Sequence, residues 1–151
     1  MALIAAIDPL TFRTTTTYDD AGRPIRSKNP LDEITTTVYD KAGRTIAAVN
    51  PLTFRTTTTY DPAGRAVRVT NPLSKISTTV YDAANQVKAV INPLGNRTSI
   101  TYDAVGRQIR TTDANNNLST TIYDQAGRTI AEINALGNRT TTIYNSIGNT
   151  L

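Results

Sequence analysis

Residues 55–73 read Arg-Thr-Thr-Thr-Thr-Tyr-Asp-Pro-Ala-Gly-Arg-Ala-Val-Arg-Val-Thr-Asn-Pro-Leu and hold two turn signals beside two strand-forming runs. Asp61-Pro62-Ala63-Gly64 puts aspartate first, proline second and glycine fourth, the pattern of a type I turn closed by a left-handed residue. Asn71-Pro72-Leu73 repeats that chemistry, with proline where φ is preset and its missing N–H costs nothing. The runs themselves, Arg55–Tyr60 and Arg65–Thr70, are rich in β-branched side chains, which suit a pleated surface and lose rotamer freedom in a helix. Strands joined by tight turns at both ends predict an antiparallel meander and argue against a parallel β-helix, whose corners are wider.

The same phrase recurs along the chain. Tyrosines stand at 18, 39, 60, 81, 102, 123 and 144, an unbroken spacing of 21. Aspartate follows in six cases and Asn145 in the seventh. Four residues after each tyrosine comes Gly22, Gly43, Gly64, Asn85, Gly106, Gly127 or Gly148. Asparagine is the non-glycine residue that best tolerates positive φ, so this position calls for a left-handed backbone. The second turn recurs as Asn29-Pro30-Leu31, Asn50-Pro51-Leu52 and Asn92-Pro93-Leu94-Gly95. Residues 1–151 therefore read as one array of seven 21-residue hairpin repeats with open strand edges at both ends. About fourteen strands at ~4.8 Å spacing make a ribbon roughly 60 Å wide, which is expected to curl, spiral or stack.

Composition agrees with an all-β fold. The 151 residues include 28 threonines, seven tyrosines and two phenylalanines, with no histidine, cysteine or tryptophan. No disulfide framework or thiolate metal site is available, so stability has to come from packing. The net charge of +4 comes from basic residues spread at repeat intervals, not from a block, which argues against nucleic acid as a partner. Met1 to Ile7 is apolar but carries none of the features of a cleaved leader, and no stretch has the length of a membrane span.

With its six Tyr-Asp copies in register, the motif Tyr-Asp-x-x-Gly-Arg followed by Asn-Pro-Leu-Gly resembles the YD-repeat (Rhs) family over essentially the whole chain. The resemblance implies hairpins joined into a continuous spiralling sheet, as in the hollow shells of bacterial Rhs and Tc proteins around toxin domains and in the barrel of teneurins. It also implies a secreted or cell-surface scaffold. The chain shows no stretch like the toxin domain, plug or self-cleaving aspartate motif of the large members.

A longer period lies beneath the 21-residue one. Eight residues past the tyrosine the series runs Arg26, Ala47, Arg68, Ala89, Arg110, Ala131, and ten past it Lys28, Val49, Thr70, Ile91, Thr112, Ile133. Five before it runs Arg13, Ile34, Arg55, Ile76, Arg97, Leu118, Arg139, and one before it Thr17, Val38, Thr59, Val80, Thr101, Ile122, Ile143. All four flip together except at Ile143, so the unit is 42 residues, a charged hairpin followed by an apolar one. Strand alternation puts the four series on one face. The other face is nearly constant, carrying the tyrosines, Thr14, Thr16 and the aliphatics Ile25, Ile46, Val67, Ile109 and Ile130, with Lys88 the exception.

The pattern suggests a narrow spiral of two hairpins per turn, with the constant face inside and the alternating face outside. An apolar stripe would then run along it: Ile34, Val38, Ala47, Val49, Ile76, Val80, Ala89, Ile91, Leu118, Ile122, Ala131 and Ile133. Exposed apolar patches of that extent mark contacts, so lateral self-association into a homo-oligomer or homopolymer is expected, unless the stripe packs against another layer of the same chain.

Near-identical repeats give each residue near-identical surroundings, whereas catalysis needs groups in distinct ones, so no enzyme activity and no cofactor are expected. The turn aspartates are assigned to bonds with their own backbone. Asp113, Asn115, Asn117 and Asp124 mimic a calcium loop in spacing, but Leu118 takes the place of the required glycine and no metal site is expected. The tyrosines form a packing ladder, with carbohydrate binding as the rival role. Threonine ladders resemble ice-binding solenoids in composition alone, and Asn96, Asn117 and Asn138 fit glycosylation sequons. The leading functional expectation is a structural protein that self-associates into an extracellular filament, tube or sheath. The alternative is a segment of a YD-repeat shell that encloses a toxin or mediates adhesion.

Overall fold

A computed structural model describes residues 2–7 and 13–151, all strand, turn and bend, with no helix among them. The expectations about Met1 lie outside the described residues. The chain divides into two compact units, Met1–Ile76 and Ser77–Leu151. The first holds β1 (Ala2–Ile7), β2 (Arg13–Tyr18), β3 (Pro24–Lys28), β4 (Ile34–Tyr39), β5 (Thr45–Val49), β6 (Arg55–Tyr60) and β7 (Ala66–Thr70). The second holds β8 (Ile76–Tyr81, whose first residue closes the first unit), β9 (Val87–Ile91), β10 (Arg97–Tyr102), β11 (Gln108–Thr112), β12 (Leu118–Tyr123), β13 (Thr129–Ile133) and β14 (Arg139–Thr141). Within each unit every strand runs antiparallel to its neighbour in sequence, the expected meander.

Both turns close in the same way. At the first, Gly22 N donates to Asp19 O and Asp19 N to Arg23 O, each at 3.0 Å. The Asp19 carboxylate oxygen Oδ1 also accepts from Ala21 N at 3.0 Å and Arg23 N at 2.9 Å, so the aspartate satisfies the turn's backbone donors from inside. At the second, Asp32 N donates to Asn29 O, and Asn29 Oδ1 accepts from Leu31 N and Glu33 N. The fourth residue is left-handed at both. At the first turn this is the anticipated glycine or Asn85 (φ 66°), but the second places Asp32 (63°), Thr53 (66°) and Ser74 (59°) there as well as Gly95 (83°).

One feature departs from a plain ladder. Tyr18 pairs with Pro24 but Thr17 pairs with Arg26, leaving Ile25 as an extra residue. The same shift leaves Ile46 unpaired after Tyr39↔Thr45 and Ile109 after Tyr102↔Gln108. It recurs at Val67, Lys88 and Ile130. These six β-bulges are the aliphatic positions of the constant face, with Lys88 again the exception, and each adds local right-handed twist. The expected strand Arg65–Thr70 starts one residue late, at Ala66, because the Arg65 carbonyl closes the turn by accepting from Asp61 N.

Little of the chain is shielded. Ala47, Ala89 and Ala131 alone are buried among the described residues, and the accessible surface is 10539 Å². A compact protein of 16.3 kDa exposes roughly 7,500 Å². Stability therefore rests on the ladders, the turns and edge contacts between hairpins more than on a core.

Candidate interaction surfaces

The register confirms that the four alternating series share a face. Thr17 lies opposite Arg26 and Thr15 opposite Lys28. Lys28 lies opposite Ile34, and Thr36 opposite both Arg26 and Val49. Ala47 sits between Val38 and Thr57. In the second unit Ala89 lies between Val80 and Ser99, and Ala131 between Ile122 and Thr141. The three residues buried among those described thus lie on the face read as outward from the sequence. Alanine is short, and taller neighbours one strand away on either side screen it without a second layer. Of the other stripe residues, Ile34, Val38, Val49, Ile76, Val80, Ile91, Ile122 and Ile133 are half-buried, and Leu118 is 39% exposed.

The charged hairpins present Arg13, Arg26, Arg55, Arg68, Arg97, Arg110 and Arg139 on this face, all exposed. Lys28 is half-buried and pairs with Asp32 at 2.7 Å.

Along the first-turn edge, Arg23, Arg44, Arg107 and Arg128 each tie two hairpins together. Arg23 Nε donates to Asp19 Oδ2 at 2.7 Å, its Nη1 donates to the Asp40 carbonyl at 3.1 Å, and its guanidinium lies 4.8 Å from the centroid of the Tyr39 ring. The Tyr39 hydroxyl then donates to the Pro24 carbonyl, 3.1 Å away on the preceding hairpin. Arg44 repeats this with Asp40 and Tyr60, Arg107 with Asp103 and Tyr123, and Arg128 with Asp124 and Tyr144, at ring distances of 4.6, 4.6 and 4.7 Å. Arg65 pairs with Asp61 at 2.6 Å. Gln86 holds the equivalent position after Asp82, and among the described residues no cation lies over Tyr102.

These bonds hold the carboxyls of Asp19, Asp40, Asp61, Asp103 and Asp124 below their ordinary titration range. The backbone N–H of the following arginine is the largest cause at Asp19, Asp40, Asp61 and Asp124. Desolvation is the largest single influence at Asp103 and pushes upward, but hydrogen bonds from Arg107 and Val105 outweigh it.

The arginine's role was missed in the sequence. Its signal was present, since Arg23, Arg44, Arg65, Arg107 and Arg128 all stand five residues after a tyrosine. The tyrosines form the expected ladder, with hydroxyls spent on backbone carbonyls and a guanidinium over the ring at Tyr39, Tyr60, Tyr123 and Tyr144, which leaves less ring face for a sugar. Asp113 accepts from Asn115 N and from both the backbone and the side chain of Asn117, while Asp124 is bound by Arg128, so the two acids of the calcium-like spacing serve two separate turns. Asn96, Asn117 and Asn138 are exposed. The turn leucines Leu31, Leu52, Leu73, Leu94 and Leu136, which had been given no role, project from the opposite edge and are between 70% and 85% exposed.

Hairpins in tandem, stapled every 21 residues by Asp, Arg and Tyr, are the unit that the RHS repeat model matches, over residues 39–76 and 81–118. The chain belongs to the RHS repeat family. No curated protein sequence matches it. Among solved structures, this RHS repeat chain is similar to the Tc holotoxin pore of Photorhabdus luminescens, at 18% identity and a TM-score of 0.68, over 92% of this chain and 9% of that one. It is also similar to the crystal structure of TcdB2-TccC3, at 14% identity and a TM-score of 0.56, over 92% of this chain and 11% of that one. The RHS repeats here thus span about a tenth of the chains they resemble, and the likeness is one of fold.

Proposed function

We propose that the chain is a wall segment of a YD-repeat shell, a secreted or surface-borne scaffold whose role is structural and not catalytic. The observation that carries this reading is the uncovered sheet. Hairpins fastened edge to edge by their own turns need no core, and such a sheet can be extended without limit while leaving both faces free. The fold likeness to the Tc holotoxin pore over 92% of the chain supports it. So does the fate of the acids, since Asp19, Asp40, Asp61, Asp103 and Asp124 are spent on backbone and arginine donors and none of these five is left as a poised acid or base.

Self-association into a filament is the second reading. The half-buried aliphatics of β4, β5, β8, β9, β12 and β13, and the excess of exposed surface, favour it. Negative-stain microscopy of the purified chain separates the two, since dispersed or rounded particles support the wall segment and long filaments support self-assembly. Glutamate at Ala47, Ala89 or Ala131 is a poor probe of assembly, because those sites are shielded within the chain and a charge there damages the fold itself. Leu118→Glu lies on the same stripe at an exposed site and is the better test.

A further inference from the structure

In the first unit the charge carried by the strands β2 to β7 is confined to one face. Among the described residues, Glu132 is the one acid inside a strand, and it lies on the tyrosine face, paired with Thr121 and Thr140. The other described acids occupy turns. In the first unit, the alternating face of β2 to β7 therefore carries Arg13, Arg26, Lys28, Arg55 and Arg68 and no acid, while the strands' opposite face carries no charge at all. Only Lys28 of the five has an ion-pair partner among the described residues. Arg13, Arg26, Arg55 and Arg68 are exposed and unpaired there. The turn arginines behave in the opposite way, each held by its own aspartate. The free cations are therefore not surplus charge from the staple system. They form a separate set on a separate surface.

We propose that this face of the first unit is a docking surface for an acidic polypeptide whose carboxylates are interleaved with aliphatic side chains. Its layout is what selects that occupant. Arg26 on β3 lies level with Arg55 on β6, while Arg68 on β7 is four strands from Arg26, about 19 Å across the strands and about 13 Å along them, and the strands between offer Ile34, Val38 and Val49. Arg55 and Arg68 sit on adjacent strands, offset by four residues, or about 13 Å, since Arg68 lies opposite Thr59. Carboxylates meet the basic columns while aliphatic side chains cover the apolar ones, which gives the charge complementarity and the apolar burial that protein interfaces combine. A second copy of the chain is the poorer occupant, because the same face would bring arginine against arginine when in phase. Nucleic acid is poorer too. No aromatic ring stands on this face among the described residues to stack a base, and the aliphatic columns give phosphates nothing. The proposal does not depend on the shell reading, because the surface belongs to the isolated chain.

The test is fluorescence anisotropy of the intact chain with three labelled probes: a peptide of alternating Glu and Leu, its Lys-for-Glu counterpart, and a short DNA duplex. The wild type is expected to bind the Glu–Leu peptide in preference to both others, with affinity falling as salt is raised. The triple variant Arg26→Glu, Arg55→Glu, Arg68→Glu is expected to lose about tenfold or more for the Glu–Leu peptide, about 1.4 kcal/mol at tenfold, and to gain binding of the Lys–Leu peptide. That exchange of partner cannot come from unfolding, and a retained β-sheet circular dichroism spectrum confirms it. Equal binding of both peptides by the wild type, tighter binding of the duplex, or an unchanged preference in the triple variant each overturns the proposal.

Discussion

Among the described residues, Thr53 is the one most at odds with its backbone. It is β-branched and sits at φ 66°, where its counterparts Gly95 and Gly137 adopt 83° and 80° without penalty. The left-handed region costs an L-residue roughly 1–2 kcal/mol, part of which glycine returns as chain entropy in the unfolded state. Thr53→Gly is therefore expected to stabilise the chain by about 0.5–1 kcal/mol in a denaturant melt, while Gly64→Val, which forces the same clash at φ 83°, destabilises it by at least as much. The turn aspartates set the acid limit. Their folded titration points are lowered by the hydrogen bonds they accept, so the stability they contribute is present above the unfolded value of about 3.9 and is lost as pH falls through the folded values. Melting temperature is expected to drop steeply below about pH 4, and Asp61→Asn, which removes one such group, should weaken that dependence.

The hairpin is the element at which sequence was most informative. Strand positions to within a residue, the antiparallel order and the shared face of the alternating series could all be read from the tyrosine period and the turn chemistry around Asp61 and Asn71, because both signals are local. The bulges at Ile25, Ile46 and Val67 could not, since an extra residue in one strand shows only against its partner. Nor could the shielding of Ala47, Ala89 and Ala131, which depends on the height of side chains one strand away. The staple was hidden for the same reason, as Arg23 reaches Tyr39 and Asp40 across a hairpin boundary. Its energetic worth is testable at the one interrupted position. Gln86→Arg supplies a guanidinium for Tyr102 and is expected to raise stability by about 0.5–1 kcal/mol, and Arg44→Gln to lower it by a similar amount. Thermal melts of the two variants and their parent measure both, and equal melting points for all three would remove the staple from the account.

For the molecule as a whole, the 42-residue phase predicts which lengths are permitted. Excision of residues 40–81 joins Tyr39 to Asp82 and sets Val38 against Ala89, two members of apolar hairpins, as in the parent. Excision of residues 40–60 joins Tyr39 to Asp61 and sets Val38 against Arg68. The first shortened chain is expected to melt as cooperatively as its size allows, and the second to melt lower than the first despite being longer. The pairing pattern has a further consequence, for time instead of stability. Within each unit the widest strand pairing described is Ala2↔Tyr18, so each residue finds its partner within 16 positions along the chain. A hairpin can close as soon as its second strand leaves the ribosome or a secretion channel, and the next one docks on a finished edge. The order of folding is then the order of emergence, and such a run of hairpins can be laid down from one end while the other is still being made.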